Sequence, residues 1–334
     1  MASQTAVAAA SPNIALIKYW GNRDDALRLP ANGSISMTLA GLETVIEVTF
    51  EEGRAGDSLT LNGRAAPEEV LSRVSQHLAR VRELAGLRAG ARIRSRSNFP
   101  SGTGLASSAA AFAALTLAAV QASGLRLEAR FLSRLARRGS GSASRSIFGG
   151  FVEWHAGKSD KDSFAEPLAP GEHWGLVDLV VILSRRRKPT GSTEGHALAA
   201  TSPLQAARVA DAPRRLAECR EALRARDFAR LAAVVEHDSN LMHAVMLTSR
   251  PTLLYWSPET VRLMGAIAAW REAGMEACYT IDAGPNVHCL CAPQSAQRAA
   301  RRLQSLPGVL QVLRCPAGEG ARLLAAWPRL SSPG

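Results

Sequence analysis

The residues with the clearest potential for chemistry begin with one carboxylate. Asp282 follows the apolar run 277–281 and precedes Ala-Gly-Pro-Asn286, so we expect it at a strand end where the chain enters a tight turn. Asp and Asn commonly cap such turns, and taken alone this segment fits that structural role. Among anion-binding loops, the same carboxylate could act as a base or charge stabiliser in phosphoryl transfer or decarboxylation.

Two segments rich in glycine and serine are candidates for those loops. The first, residues 98–109, has glycines that permit a tight backbone, whose N–H groups can bind phosphate at the start of a helix. It lacks the Gly-Lys-Ser/Thr of a Walker A loop and the glycine spacing of a dinucleotide site. A plain turn into a packed alanine helix is the alternative. The predicted contacts are Asn98, Pro100, Ser101, Gly102, Gly104, Ser107 and Ser108.

The second segment, residues 137–150, alternates serine and glycine beside Arg137, Arg138 and Arg145. Serine and backbone donors can bind one cluster of oxygens, while an arginine fork binds a carboxylate or phosphate. The alternative is a flexible surface linker. The apolar residues Ile147 and Phe148 favour an ordered segment instead.

Hydrophobic periodicity predicts the elements that hold these loops in place. Helices are expected at 67–87, from the first loop to about 122, throughout 203–247, at 259–272 and at 295–306. Strands are expected at 45–50, 91–97, 176–183, 277–281, 287–291 and 309–314. This order indicates an α+β fold with helices on one face of a mixed sheet. The basic segment 185–189 predicts a boundary between domains 1–184 and 185–334, and the first 13 residues are expected to be a frayed lead-in.

Composition excludes several classes of protein. At 334 residues and 46% hydrophobic content the chain can fill two cores. It has no apolar run of about 20 residues for a membrane span and no basic leader of a secretory signal, so we predict a cytoplasmic protein without a membrane partner. Five cysteines without C-x-x-C spacing indicate core packing, not disulfides or zinc.

The net charge of +11 does not by itself indicate nucleic-acid binding. Only four of the 40 basic residues are lysines, and the densest basic run, 185–188, has no aromatic residues between its charges for base stacking. A small polyanionic substrate accounts for positive sites equally well. We therefore predict no nucleic-acid partner.

Together these segments resemble the GHMP family of small-molecule kinases, and specifically its mevalonate diphosphate decarboxylase branch. The resemblance extends from residue 13 to about 290 and keeps the family's order. Its motifs are Asn13-Ile-Ala-Leu-Ile-Lys-Tyr-Trp-Gly21, Leu29-Pro-Ala-Asn-Gly-Ser-Ile-Ser36, Arg138-Gly-Ser-Gly-Ser-Ala143, Gly149-Gly-Phe-Val-Glu-Trp154, Thr190-Gly-Ser-Thr193 and the Asp282 turn. The family fold has an N-terminal ribosomal-protein-S5-like α/β domain and a C-terminal ferredoxin-like α+β domain.

The resemblance implies ATP-driven decarboxylation of mevalonate 5-diphosphate to isopentenyl diphosphate, with ATP and Mg²⁺ as cofactors and a homodimer as the assembly. It places Asp282 at the C3 hydroxyl, Arg145 on the substrate carboxylate and Lys18 in the same catalytic group. Residues 98–108 would bind ATP, and Mg²⁺ would bridge phosphate oxygens, with no metal ligands assigned. The substrate contacts implied are Tyr19, Asn22, Ser140, Gly141, Ser142 and Ser192.

One departure affects the substrate. Where the family usually has a second lysine near the substrate diphosphate, this sequence has Asn22. Because a charge-assisted contact is worth about 1.5–3 kcal/mol, the substrate could be mevalonate 5-phosphate, unless an arginine compensates. A mevalonate-type kinase that releases no carbon dioxide and a non-catalytic basic protein that binds anions are also compatible with these residues.

Overall fold

The computed structural model describes residues 4–99, 106–186 and 190–328, apart from the Ser192 side chain, and within these ranges the fold is α+β as predicted. The strands are β1 (Gln4–Ala10), β2 (Asn13–Ile17), β3 (Asn22–Asp24), β4 (Leu29–Pro30), β5 (Ser34–Thr38), β6 (Thr44–Glu51), β7 (Ser58–Leu61), β8 (Arg64–Ala65), β9 (Gly90–Ser97), β10 (Phe151–Trp154), β11 (Ala165–Ala169), β12 (Val177–Ile182), β13 (Ala277–Thr280), β14 (Val287–Cys291), β15 (Gln311–Pro316) and β16 (Arg322–Leu324). The helices are α1 (Glu68–Ala85), α2 (Ser107–Ala122), α3 (Ala129–Gly139), α4 (Ala143–Ser146), α5 (Ser192–Leu198), α6 (Gln205–Ala225), α7 (Phe228–Thr248), α8 (Pro258–Glu272) and α9 (Pro293–Gln304).

The first sheet has the order β16-β1-β6-β9-β7-β8, and helix α2 packs on β1 and β6. The N-terminal segment is not the frayed lead-in that we predicted, because β1 pairs with β6 along its whole length and with β16 on its other edge. Small side chains explain how this strand is buried. Ala6, Ala8 and Ala10 face the alanines of α2, such as Ala113 and Ala118, so strand and helix can approach closely.

A second sheet, β11-β10-β5-β2, and a third, β13-β14-β12-β15, share one hydrophobic core. Residues of α6 and α7 belong to that core, while α8 and α9 cover the other face of the third sheet. Helices therefore lie on both faces of this sheet, not on one face as we predicted, and the strands form several sheets instead of one. The stretch predicted as continuously helical is two helices. Arg226 ends α6 in the left-handed conformation at φ 55°, and the Asp227 side chain caps α7 by accepting a hydrogen bond from the Arg230 N–H.

The second and third sheets meet where their strands deliver the predicted catalytic residues. The Thr280 hydroxyl at the end of β13 donates to the Ala15 carbonyl in β2 at 3.4 Å. Helix α7 packs against both strands. Lys18 after β2 and Asp282 after β13 therefore enter the same space.

The cysteines are free and buried, which confirms their predicted role in core packing. Cys289 and Cys291 lie on one face of β14 with their sulfur atoms 3.7 Å apart, as the alternation predicts. In the described part of the chain, no helix is both long and apolar enough to cross a membrane.

Candidate active site

The centre of the site is an ion pair between Lys18 and Asp282. The Lys18 Nζ lies 2.6 Å from Asp282 Oδ1, and the lysine side chain is 1% exposed whereas the carboxylate is 25% exposed. Burial raises the pKa of Asp282, but Lys18, His288 and Arg145 together lower it below its usual value. The carboxylate is therefore ionised at neutral pH and remains accessible to a small molecule.

The backbone of Lys18 is held by buried polar side chains. Its N–H donates to Asp238 Oδ2 at 2.6 Å, and its carbonyl accepts from Asn32 at 3.0 Å and from Arg208 at 2.8 Å. Arg215 donates to the other oxygen of Asp238 at 2.7 Å, with both side chains fully buried. We call Asp238, Arg208 and Arg215 the Lys18 clamp. It fixes the peptide from which the ammonium projects.

Arg145 projects from the four-residue helix α4 and is 3% exposed. Its Nε and one terminal nitrogen donate to Asn13 Oδ1 at 3.1 and 3.0 Å, and its other terminal nitrogen donates to Ser34. Burial lowers the pKa of Arg145 to about 10, against the opposing effects of Asp282 and Tyr19, so the guanidinium is charged at neutral pH. These contacts fix the plane of the guanidinium, which acts electrostatically on the Asp282 carboxylate.

The serine-glycine segment before Arg145 forms an ordered, largely buried turn rather than a surface linker. The Ala143 N–H donates to the Ser140 carbonyl at 2.9 Å, and the Arg145 N–H donates to the Ser142 carbonyl at 3.2 Å. Tyr19 lies directly on Gly141, where an added Cβ would come within 2.5 Å of the tyrosine ring. Glycine is needed here because no side chain fits beneath the ring.

Tyr19 connects this turn to Asn22. The tyrosine ring stacks on His196 at 4.1 Å and meets Trp154 edge-on at 4.8 Å. Burial raises the pKa of the Tyr19 hydroxyl above its usual value, so it is a neutral donor, and it donates to Asn22 Oδ1. The Asn22 amide nitrogen in turn donates to Asp25 at 2.7 Å.

The predicted ATP loop is described in part. Asn98 connects to the neighbouring turn, accepting from the Glu43 N–H and donating to the Gly41 carbonyl, both at 2.9 Å. Ser107 begins α2, and the Ser108 hydroxyl lies 3.2 Å from that of Ser140. The start of α2 therefore lies beside the second serine-glycine turn. Pro100, Ser101, Gly102 and Gly104 lie outside the described residues.

Ser192, a predicted substrate contact, and Asn286, the last residue of the Asp282 turn, belong to the two remaining motifs. Ser192 is the first residue of α5, and its side chain is outside the described part; Gly195 in the same helix packs on Trp20. Asn286, at the end of the Asp282 turn, accepts hydrogen bonds from the N–H groups of Leu183 and Ser184 at 2.8 and 3.0 Å. It ties the Asp282 turn to the end of β12.

Several residues that matter to this geometry were not singled out from the sequence. Asn13 and Ser34 lie inside motifs quoted for the family, so the sequence marked them as positions of interest. It did not reveal that both accept hydrogen bonds from Arg145. Asp238, Arg208 and Arg215 read as ordinary charges of helical segments. Their burial was the missing information, since fully buried charges are rare unless they are paired.

The described part of the site has no ready-made cage of protein ligands for magnesium. Residues 4–99, 106–186 and 190–328 contain no group of three or more His, Cys, Asp or Glu side chains arranged to hold a metal ion. Mg²⁺ commonly retains water and binds through substrate phosphates, so the absence of such a group is compatible with the ion.

Comparison with known proteins identifies the family. Residues 10–165 match the family model for the diphosphomevalonate decarboxylase-like N-terminal domain, and residues 178–312 match the mevalonate 5-diphosphate decarboxylase C-terminal domain. The diphosphomevalonate decarboxylase of Aspergillus fumigatus is 38% identical over 91% of this chain and 80% of its own length.

Solved structures agree with this assignment. The mevalonate diphosphate decarboxylase of Staphylococcus aureus superposes with a TM-score of 0.92 at 38% identity, over 97% of this chain and 98% of its own. The structure of MDDEF in complex with MVAPP, AMPPCP and magnesium superposes with a TM-score of 0.90 at 36% identity, over 97% of this chain and 99% of its own. The chain belongs to the mevalonate diphosphate decarboxylase family.

Proposed function

We propose that this chain catalyses ATP-dependent decarboxylation of mevalonate 5-diphosphate, giving isopentenyl diphosphate, ADP, phosphate and carbon dioxide. The observation that carries the proposal is the ionised Asp282 carboxylate, paired with Lys18 at 2.6 Å and lying in the field of the buried Arg145 guanidinium. A carboxylate that is paired with one cation and lies within the electrostatic reach of a second suits a reaction in which positive charge develops beside a departing carboxylate. Family membership supplies the substrate class.

The reaction takes place in two steps, phosphorylation of the C3 hydroxyl group and then elimination. The C3 hydroxyl oxygen forms a bond to the γ-phosphorus of ATP as the bond to ADP breaks, and the hydroxyl proton is released. The C3–O bond then breaks with loss of phosphate, while the electron pair of the C–CO₂ bond forms the new double bond. In this scheme Arg145 holds the carboxylate in the orientation that allows this elimination, because its guanidinium can bind both carboxylate oxygens.

Asp282 is better suited to stabilise charge than to act as a strong base. Its lowered pKa means that the carboxylate holds a proton only weakly near neutral pH, which limits its efficiency in general base catalysis. The same property keeps it negatively charged throughout the reaction. We therefore assign it to orient the C3 hydroxyl and to stabilise positive charge at C3.

The ATP phosphates are assigned to residues 98–108 and the start of α2. The helix N-terminus supplies backbone N–H groups and a positive dipole end, and Ser107 and Ser108 supply hydroxyls. Bound Mg²⁺ would neutralise phosphate charge and align the γ-phosphoryl group. The substrate side is assigned to Tyr19, Asn22, Ser140, Gly141, Ser142 and Ser192. Lys18 is assigned to the space between ATP and the substrate.

A product assay tests this proposal. The purified protein is incubated with Mg-ATP and, separately, mevalonate, mevalonate 5-phosphate and mevalonate 5-diphosphate, and ADP and carbon dioxide are both measured. We expect equal amounts of ADP and carbon dioxide with the diphosphate. ADP without carbon dioxide would identify a mevalonate-type kinase, and neither product with any substrate would favour a non-catalytic anion-binding protein.

A phosphomevalonate decarboxylase that forms isopentenyl phosphate is the second candidate, and Asn22 is the observation that favours it. The Asn22 amide is neutral, so it brings no positive charge to the phosphate end of the substrate. Its oxygen and nitrogen are already hydrogen-bonded to Tyr19 and Asp25. In the same assay, a higher kcat/KM for mevalonate 5-phosphate than for the diphosphate would select this candidate.

Three broader assignments remain predictions. Light scattering on a size-exclusion column tests the homodimer by whether the mass is twice the 35.5 kDa of the chain. Cell fractionation tests the cytoplasmic location. Limited proteolysis tests the division into 1–184 and 185–334 by locating the first cleavage sites.

A further inference from the structure

Four arginines are linked by electrostatic interactions: Arg28 acts on Arg73 and Arg80, Arg138 acts on Arg80, and Arg28 also acts on Tyr19 in the site. Arg28 follows β3 in the turn to β4, Arg73 and Arg80 project from α1, and Arg138 lies near the end of α3. We call them the arginine cluster. Burial lowers the pKa of Arg73 and Arg80, and Arg28 lowers both further, as Arg138 does for Arg80.

Among the described carboxylates, Glu69 acts electrostatically on Arg73, and Asp160 lies beside Arg138. Arg138 lies 3.5 Å from Asp160, but that carboxylate is already paired with Arg134 and Arg137, and the Nε of Arg138 is buried without a partner. Positive charge gathered in this way is stabilised when an anion binds.

Arg28 has the clearest capacity to bind that anion. It is half-buried, and its guanidinium makes no hydrogen bond or ion pair with the residues of 4–99, 106–186 and 190–328. Its backbone has φ 49°, in the left-handed region that non-glycine residues seldom adopt. The Arg28 N–H donates to the Asp25 carbonyl at 3.3 Å, which fixes the turn.

Arg28 is also close to the position that lacks the family lysine. The Asn22 amide nitrogen donates to the Asp25 carboxylate, and the Asn22 amide oxygen accepts from the Tyr19 hydroxyl. Because the Arg28 N–H donates to the Asp25 backbone carbonyl, these bonds connect the Arg28 turn to two predicted substrate contacts, Asn22 and Tyr19. Strand pairing sets Asn22 opposite Pro30, two residues after Arg28. Of the charged groups that act on the pKa of Tyr19, Arg28 has the largest effect.

We propose that Arg28 binds the terminal phosphate of the substrate, replacing from the β3–β4 turn the positive charge that Asn22 lacks. This inference rests on the proposed function. The planar guanidinium can donate two parallel hydrogen bonds to one phosphate, a geometry that an ammonium does not offer. The site would then select the diphosphate over the monophosphate although the lysine is missing.

Direct binding measurements test the inference without requiring turnover. Calorimetry is used to measure the Kd of mevalonate 5-diphosphate, mevalonate 5-phosphate and Mg-ATP for the wild-type protein and for Arg28→Gln. We expect the variant to bind the diphosphate about 10- to 100-fold more weakly, the loss of one charge-assisted contact, with a much smaller change for the monophosphate and none for Mg-ATP. Arg28→Lys should retain most of the affinity.

The control is Arg23→Gln, which removes an exposed arginine of the same hairpin that donates to the Ala156 carbonyl at 2.9 Å. It should bind all three ligands like the wild type. Adding Asn22→Lys to Arg28→Gln should restore diphosphate affinity, which a purely structural role of Arg28 would not allow. Equal losses for both mevalonate phosphates, or a loss for Mg-ATP alone, would overturn the inference.

Decarboxylation assays on the same proteins separate this inference from the proposed function. A wild-type protein that releases no carbon dioxide refutes the function whatever the binding results. A wild-type protein that turns over, together with an Arg28→Gln variant of unchanged diphosphate Kd and KM, refutes only the role of Arg28.

Discussion

At the scale of single residues, the site depends on the mutual neutralisation of Asp282 and Lys18. Lys18 is almost completely buried, which is costly for an ammonium unless a partner compensates it. Asp282 supplies that partner and in return keeps its charge despite the burial that raises its pKa. Lys18 thereby accounts for the ionised state of Asp282.

Replacing Asp282 by Asn should abolish turnover while leaving ATP binding intact. The amide keeps the size of the side chain but removes the negative charge assigned to C3, and we expect kcat to fall by about 10³-fold. Single-turnover assays and the Kd of Mg-ATP check the two halves of this expectation. Strongly weakened ATP binding would argue against a substrate-side role for Asp282.

The Lys18→Met variant should shift the acid limb of the pH profile upward. An ordinary aspartate titrates near pH 4. In the wild type the pKa of Asp282 is lowered, so its carboxylate stays ionised below that pH. Without Lys18, burial raises this pKa against only His288 and Arg145, so activity should be lost at a higher pH as the medium is acidified. The pH dependence of kcat/KM for the residual activity measures the shift. An unchanged acid limb would mean that another group controls it.

At the scale of elements, β2 is held in place by helices α6 and α7. The Lys18 clamp bonds the peptide just beyond β2 through Asp238 on α7 and Arg208 on α6, and Arg215 completes the buried charge cluster. Buried charges of this kind are costly to separate. The position of the Lys18 ammonium thus depends on helices that carry none of the predicted catalytic residues.

Asp238 and Asp211 both pair with Arg215, so replacing each in turn gives a matched pair of variants. Asp238→Asn should lower the free energy of unfolding by about 3–5 kcal/mol, since it removes the buried carboxylate that faces Arg215 and leaves that buried guanidinium only the partly exposed Asp211. Asp211→Asn removes the other partner of Arg215, but Asp211 is 38% exposed and does not contact Lys18, so its cost should be below about 1 kcal/mol. Urea unfolding at neutral pH measures both. Similar costs would show that the clamp carries no special stability.

At the scale of the whole molecule, neutral histidines are buried in the two halves of the chain. His77 in α1 bonds Thr116 of α2 at 2.9 Å; because the Thr116 hydroxyl donates to the Phe112 carbonyl, the His77 Nε2 must be the donor. His243 in α7 packs on Trp256 and faces the Ile281 carbonyl. Burial lowers both pKa values to about 3, assisted for His77 by Arg80, Arg138 and Arg28 and for His243 by Lys18.

These histidines should make the protein less stable as pH falls. Between pH 6.5 and about 3 the unfolded chain binds one more proton at each histidine than the folded chain, so each contributes a loss of about 1.4 kcal/mol per pH unit. The His77→Gln variant should therefore lose about 2 kcal/mol less than the wild type between pH 6.0 and 4.5. Urea unfolding at both pH values tests this, with the exposed His237→Gln as control. Equal losses in His77→Gln and the wild type would contradict it.

Much of the fold was accessible from local patterns. Helices α1, α2, α8 and α9 begin and end within a few residues of the expected positions, and α6 and α7 together fill the predicted stretch 203–247, because apolar spacing is local information. Helices α3, α4 and α5 were not predicted. The strand β1 was missed because alanine-rich segments have weak strand propensity, and only pairing with β6 and β16 stabilises it. The break between α6 and α7 depends on the backbone of Arg226, which no periodicity reveals.

By itself, the sequence determined the family, the α+β class and the motifs that contain Lys18, Arg145 and Asp282. Only the tertiary structure decided that Lys18 contacts Asp282, a pairing across 264 positions, and that Asp238 and Arg208 hold it there. It also decided which charges are buried and therefore which pKa values change. The physical reason is that side-chain identity is local, whereas burial and ion pairing depend on elements far apart in the chain that pack together.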